Sequence, residues 1–210
     1  MKILPNFPIV DSALPLPAQN QQFIDALTSR RSPKIVDLQN AIAPSAEELP
    51  DILKVAVRVP DHGKAVPWRF IAIDGENRGI LGRKLAQILV ARGDKMDAAQ
   101  LALEQTRFER APLVLAIVHS PRAHPKATIW EQELSAGALG FSLMLACHGF
   151  GYSANWLSEW PIYDNEASAI IGAKPHEKIA GLFYIGKTQI APTERPRPNL
   201  DDIFEYWNDK

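Results

Sequence analysis

Arg30-Arg31-Ser32 places two guanidiniums and a hydroxyl where a helix has to stop, because the amphipathic stretch Gln22–Ser29 runs into it and Pro33 follows. That chemistry suits a phosphate, since Arg presents a planar fork of donors and a neighbouring Ser adds a compact one. The same pair can equally complement the dipole of the helix it ends. A second group, Arg58-Val59-Pro60-Asp61-His62 with Pro67-Trp68 after it, combines a cation, an imidazole in a proline turn and an aromatic strand start. A third is the glycine-rich Gly149–Trp160, which holds Asn155, Trp156 and Leu157.

Other chemistries lack their residues. No Gly-x-Gly-x-x-Gly follows the first strand, and neither a Walker loop nor a Gly-x-Ser-x-Gly elbow is present. His62, His119, His124, His148 and His176 show no metal-ligand spacing, so no metal is expected. The single Cys147 excludes an internal disulfide and sits in an apolar run as a buried thiol. Net charge is −1, which favours neither nucleic acid nor an anionic membrane, so any anion site must be local.

With 210 residues, 46% hydrophobic and 22% charged, the composition is that of one soluble globular domain. Residues 1–19 read as a proline-punctuated arm and 20–210 as a single domain with a C-terminal extension. The N-terminus has no signal-peptide pattern and the longest apolar stretch is too short for a bilayer, so a cytoplasmic location is expected.

Local pattern gives the elements that must position these groups. Phe23, Ile24 and Leu27 mark a helix face running to Arg30. Ser45 and Glu48 form a capping box opening a helix with Leu49, Ile52, Leu53 and Val57 on one side, which ends before Pro60. Trp68–Asp74 alternates as a strand. Helices follow over Arg78–Arg92 and Asp97–Glu109, then Pro112–Val118 reads as a strand buried on both faces. Glu131–His148 is the strongest helix, with Leu134, Ala138, Phe141 and Leu145 on one stripe. Its Gly137, Ala138 and Gly140 permit close approach, expected from another helix, and Gly149 or Gly151 ends it. Glu131 and Glu133 read as structural. A short helix over Asn165–Ile171 and a buried strand over Lys178–Ile185 complete an α/β layering without regular alternation.

Five blocks stand in one order: SRRS at Ser29–Ser32, VRVPDHGKAVPW at Val57–Trp68, WEQELSAG at Trp130–Gly137, GFGYSANWLSEW at Gly149–Trp160 and GLFYIGK at Gly181–Lys187. In this the chain resembles the nitroreductase family, most closely its short, minimal branch. The resemblance implies a mixed, mainly antiparallel sheet flanked by helices in an intertwined homodimer. It also implies FMN at the subunit interface, with NADH or NADPH as electron donor and a small-molecule oxidant, a nitro compound or a quinone-like acceptor. By the same resemblance Arg30, Arg31 and Ser32 hold ribityl and phosphate, and Arg195 or Arg197 completes the phosphate site. Arg58 is a basic residue near the flavin, and Pro60 and His62 line its ring, His62 as a possible donor. Asn155, Trp156 and Leu157 form the loop over the other face. Arg58 or Lys64 supplies positive charge to the reduced cofactor, whose N5 carries the hydride, so no catalytic side chain is required. Many members carry amide side chains before Pro-Trp. Here Lys64, Ala65 and Val66 stand there, and no amide contact is carried over. Two alternatives stay open: a flavin enzyme with an unrelated small substrate, and a non-catalytic FMN-binding protein whose arm and tail grip a partner.

Overall fold

The computed structural model describes residues 5–208. The expected arm and domain therefore extend past the described residues at 1–4 and 209–210. At the centre lies β2 (Leu113–His119), every residue of which is buried. It pairs antiparallel with β1 (Trp68–Asp74) on one side and β4 (Lys178–Gly186) on the other, and β3 (Ser153–Leu157) pairs antiparallel with the far edge of β4. The order β1-β2-β4-β3 is antiparallel throughout.

Period-2 alternation sorts the strand side chains into two cores. Leu113, Leu115, Ile117, Phe183 and Ile185 pack under α2 (Glu48–Ala56) and α5 (Ile129–Gly149). Val114, Ala116, Val118, Leu182 and Tyr184 pack against α3 (Asn77–Ala91) and α7 (Asn165–Ile171). The remaining helices are α1 (Gln21–Ser29), α4 (Ala98–Gln105) and the single turn α6 (Trp160–Tyr163).

Several boundaries depart from sequence expectation. The reciprocal Ser45–Glu48 bonds form at 3.2 Å, but they close a turn just before α2, and Val57 ends exposed. The expected helix Asp97–Glu109 stops at Gln105 and continues as a 3-10 turn over Arg107–Arg110. Asn155–Leu157, expected as a loop, belongs to the edge strand β3. Backbone pairing with β4 satisfies its amides there, which a loop would leave to water.

In α5 the buried face carries Ser135, Ala136, Leu139, Leu143 and Cys147, while Leu134 and Phe141 of the expected stripe face outward. Gly140 does admit a close neighbour, though not a helix. A Cβ there would lie 2.7 Å from Trp156 Cζ3 and 2.9 Å from Phe183 Cζ, so its room is taken by aromatics of β3 and β4. The helix closes with Gly151 at φ +80°, and Tyr152 N–H reaches back to the Cys147 carbonyl at 2.8 Å.

One backbone tie and one side-chain tie bring the segments after α1 and after β4 toward one corner. Ile42 and Lys187 exchange N–H···O bonds at 3.1 and 2.8 Å, which roots the tail after Lys187 beside the segment that follows Ser32. Asn155 Nδ2 donates to the Pro33 carbonyl at 2.7 Å, fastening that segment to the sheet edge. Residues 6–20 form no helix or strand and are exposed.

Candidate cofactor site

The first cluster gathers where α1 ends. Asn20 caps this helix by accepting Phe23 N–H at 3.1 Å, and Arg30 leaves it with ψ 121° toward Pro33. The Arg30 guanidinium lies 5.9 Å from the centroid of the Phe141 ring on α5, and its Nη1 is buried with no hydrogen-bond partner. Burial, and then the adjacent Arg31, lower the pKa of Arg30. A half-buried cation with a buried, open donor is the condition that an anion relieves.

Arg31 donates Nη1 to the Arg30 carbonyl at 2.7 Å and turns Nε to Glu194 Oε1 at 2.7 Å, with Nη2 on the same oxygen. Arg195 N–H donates to that oxygen as well, at 2.8 Å, and Arg31 is the main cause that holds the Glu194 carboxyl below its usual range. Arg197 donates to the Thr28 carbonyl at 2.8 Å and lies 3.6 Å from Glu194 Oε2. Ser32 and Arg195 line a hollow of about 180 Å³ with Lys34, Asp37 and Thr193. Arg31, the Arg195 backbone and Arg197 thus meet around the Glu194 carboxylate, with Arg30 beside Arg31 and Ser32 in the hollow that Arg195 also lines.

The second cluster is the turn after α2. Asp61 fixes it by accepting Ala65 N–H at 3.1 Å and Val66 N–H at 2.9 Å. These bonds hold three positive-φ residues within four positions, Gly63, Lys64 and Val66 at φ 69°, 59° and 47°. A Cβ on Gly63 would come 2.3 Å from His124 Cε1, so only glycine fits against that ring. A β-branched residue at positive φ is strained, and such strain concentrates at working sites.

His62 Nδ1 lies 3.0 Å from Glu131 Oε1, and Ser135 donates to the Pro60 carbonyl at 2.9 Å. Pro60, His62, Glu131, Leu134 and Ala138 line an open hollow of about 530 Å³. Glu131, read from sequence as structural, is therefore also part of the site. Its only local signal is Thr128 three residues earlier, which makes a capping box at the start of α5. Arg58 and Lys64 are exposed, and neither side chain makes a hydrogen bond or ion pair among the described residues.

The third group backs the first. Trp156 packs on Phe183 in a tilted contact, centroids 4.9 Å apart and planes at 37°, and fills the space left by Gly140 and Gly181, with Nε1 buried and unpartnered. Leu157 packs into the second core and the Asn155 amide serves Pro33. The two open clusters lie along one outward stripe of α5: Leu134 and Ala138 in the hollow, Phe141 under Arg30. They are separated by roughly 10 Å of helix, at about 1.5 Å per residue. Among the described residues no group of His, Cys, Asp and Glu could hold a metal, and no helix is long and apolar enough to cross a membrane.

The sequence and the fold have counterparts among known proteins. The nitroreductase family model matches residues 27–187. The Escherichia coli protein named "Putative NAD(P)H nitroreductase YdjA" is 34% identical over 170 residues, covering 79% of this chain and 90% of that protein. A nitroreductase-like family protein from Bacillus cereus superposes with a TM-score of 0.72 at 20% identity, over 94% of this chain and 100% of that one. The FMN-dependent nitroreductase NfnB from Mycobacterium smegmatis, solved with NADPH, gives 0.68 at 18% identity, over 90% and 99%.

Proposed function

The chain belongs to the nitroreductase family, and from that premise we propose that it is an FMN-dependent oxidoreductase. In this reading NADH or NADPH supplies the electrons, and the acceptor is an oxidised small molecule, a nitro compound or a quinone-like ring. The observation that carries the reading is the cationic cluster. Arg30 keeps a buried donor without a partner, and a carboxylate already rests on the Arg31 fork, so the residues present fit a phosphate.

Arg30, Arg31, Ser32 and one of Arg195 and Arg197 hold the FMN phosphate. Pro60 and His62 face the ring system from the hollow, with Arg58 and Lys64 adding positive potential from the exposed turn. Asn155, Trp156 and Leu157 act from behind by fixing the anchor to the sheet. FMN, when bound, supplies two-electron redox chemistry between nicotinamide and oxidant.

The assembly is a homodimer in which the outward faces of α5 meet. Trp130, Leu134 and Phe141 are 67%, 54% and 47% exposed on that helix, next to both clusters. A self-complementary patch of this kind suits two-fold packing, and it would bring the clusters of two protomers together.

The spectrum of the purified protein tests the reading. Flavin absorbance is expected, with anaerobic bleaching by NADH or NADPH. A colourless protein that FMN does not restore overturns it, and bound flavin that neither nicotinamide reduces would favour a non-catalytic binding protein.

A further inference from the structure

Glu131 joins the start of a helix to the imidazole in the hollow. Its Oε2 accepts Thr128 N–H at 2.7 Å and the Thr128 hydroxyl at 3.0 Å, which closes the cap of α5. Its other oxygen lies 3.0 Å from His62 Nδ1. The Thr128 N–H, then His62, hold the Glu131 carboxyl below its usual range. An ionised carboxylate only accepts, so Nδ1 carries the hydrogen in either state of the ring, and proton exchange by His62 is confined to Nε2.

The other ionisable groups around this turn are otherwise engaged. The Asp61 carboxylate holds Ala65 and Val66 N–H. His124, against Gly63, accepts Lys126 and Ala127 N–H on Nδ1. Lys64 points to solvent. Nε2 has no partner among the described residues, and its ring lines the hollow of about 530 Å³.

We propose that His62 delivers a proton from Nε2 to the substrate reduced in this hollow, and that Glu131 is the positioning residue that makes Nε2 the delivering atom. The proposal rests on the flavin reading above. A quinone that has taken up a hydride equivalent, with NAD(P)H as the ultimate reductant, is a hydroquinone monoanion with one anionic oxygen. In the doubly protonated ring the Nε2–H bond breaks and an O–H bond forms on the substrate; the electron pair stays on Nε2, which leaves the neutral Nδ1–H imidazole, and water returns the proton to Nε2. The balance is quinone plus hydride plus proton to hydroquinone.

Two measurements test it. Long-range ¹H–¹⁵N correlation on flavin-free, ¹⁵N-histidine-labelled protein should show neutral His62 as the Nδ1–H tautomer, and Glu131→Gln should move it toward Nε2–H. Thr128→Ala, which weakens the same cap, should share the loss of melting temperature and keep Nδ1–H. With 1,4-benzoquinone as oxidant, His62→Gln should lower kcat about 100-fold, near the lower end for acid–base catalysis. Glu131→Gln should lower it less, about tenfold, and shift the pH profile while KM for the nicotinamide stays. A flavoprotein whose tautomer and pH profile ignore Glu131→Gln overturns this inference alone. A protein that takes up no FMN overturns the proton delivery together with the flavin reading, while the tautomer result stands independently.

Discussion

Arg31 and Glu194, 163 positions apart in the chain, form a closed pair in which one carboxylate oxygen takes both Nε and Nη2 of the guanidinium. Glu194 thereby occupies the donor face that an incoming phosphate would use. Its side chain is 64% exposed, and exposed pairs contribute at most about 1 kcal/mol. Glu194→Gln should therefore tighten FMN two- to fivefold, within about 1 kcal/mol. Arg31→Ala should weaken FMN tenfold or more, from a charge-assisted bond of about 1.5–3 kcal/mol. Quenching of flavin fluorescence reads both, and riboflavin, which lacks the phosphate, should respond to neither. Weaker FMN binding by Glu194→Gln would mean that the carboxylate positions Arg31 instead of competing for it.

The turn that carries His62 is held against its own preference. Val66 sits at φ 47° because Asp61 grips its amide. Val66→Asn should raise the melting temperature, since relief of a left-handed β-branched residue is worth about 1 kcal/mol. Asp61→Ala should lower it by the cost of the lost bonds, about 1–3 kcal/mol. Thermal unfolding of both variants checks the pair, and equal signs would show that the turn is not under strain.

Acid sensitivity has a named source. Arg69 donates Nε and Nη2 to the Glu177 carboxylate at 2.9 and 2.6 Å, and chiefly through this bond the Glu177 pKa falls from 4.5 to about 2. The folded value lies below the unfolded one, so the stabilisation is complete above about pH 4.5. It is lost as pH falls toward about 2. Arg69→Met should flatten this part of the acid limb and destabilise the protein by about 3 kcal/mol at neutral pH, because a buried carboxylate loses its partner. Urea unfolding at several pH values measures both effects.

Two glycines on one helix should behave oppositely. Gly140→Ala drives a Cβ into Trp156 and Phe183, an overpacking expected to cost about 1–3 kcal/mol. Gly137 has nothing within 4 Å of the corresponding position, so Gly137→Ala should stabilise the isolated chain by up to about 1 kcal/mol of helix propensity. If the homodimer packs along α5, Gly137→Ala should instead raise the dimer dissociation constant, which sedimentation measures directly.

Local pattern carries much of the fold. β1, β2, β4 and α7 follow from alternation, continuous apolar runs and flanking breakers over a few residues. β3 has only a weak local signal, because the polar–apolar alternation of Ser153–Trp156 covers four residues inside a glycine-rich stretch, and it becomes a strand by pairing with β4 more than twenty positions on. The outward face of α5 was ambiguous for a related reason: the helix is apolar on both sides, and periodicity does not say which side the sheet covers. In the site, Arg30-Arg31-Ser32 and His62 were legible as chemistry. Glu131 was not, since its cap is local while its imidazole lies 69 positions away. The role of Glu194 had no signal at all, being set by the Ile42–Lys187 tie that returns the tail to α1.

That tie also separates two properties that usually travel together. Among the described residues, the four strands and the helices α1 to α7 lie before Thr188, whereas Glu194, Arg195, Arg197 and a 3-10 turn at Leu200–Asp202 lie after it. A stop codon at Thr188 would leave the sheet and both cores whole and delete half of the charged clasp. The chain is thus a scaffold with a detachable latch, and truncation there should keep the fold while weakening the phosphate site proposed above.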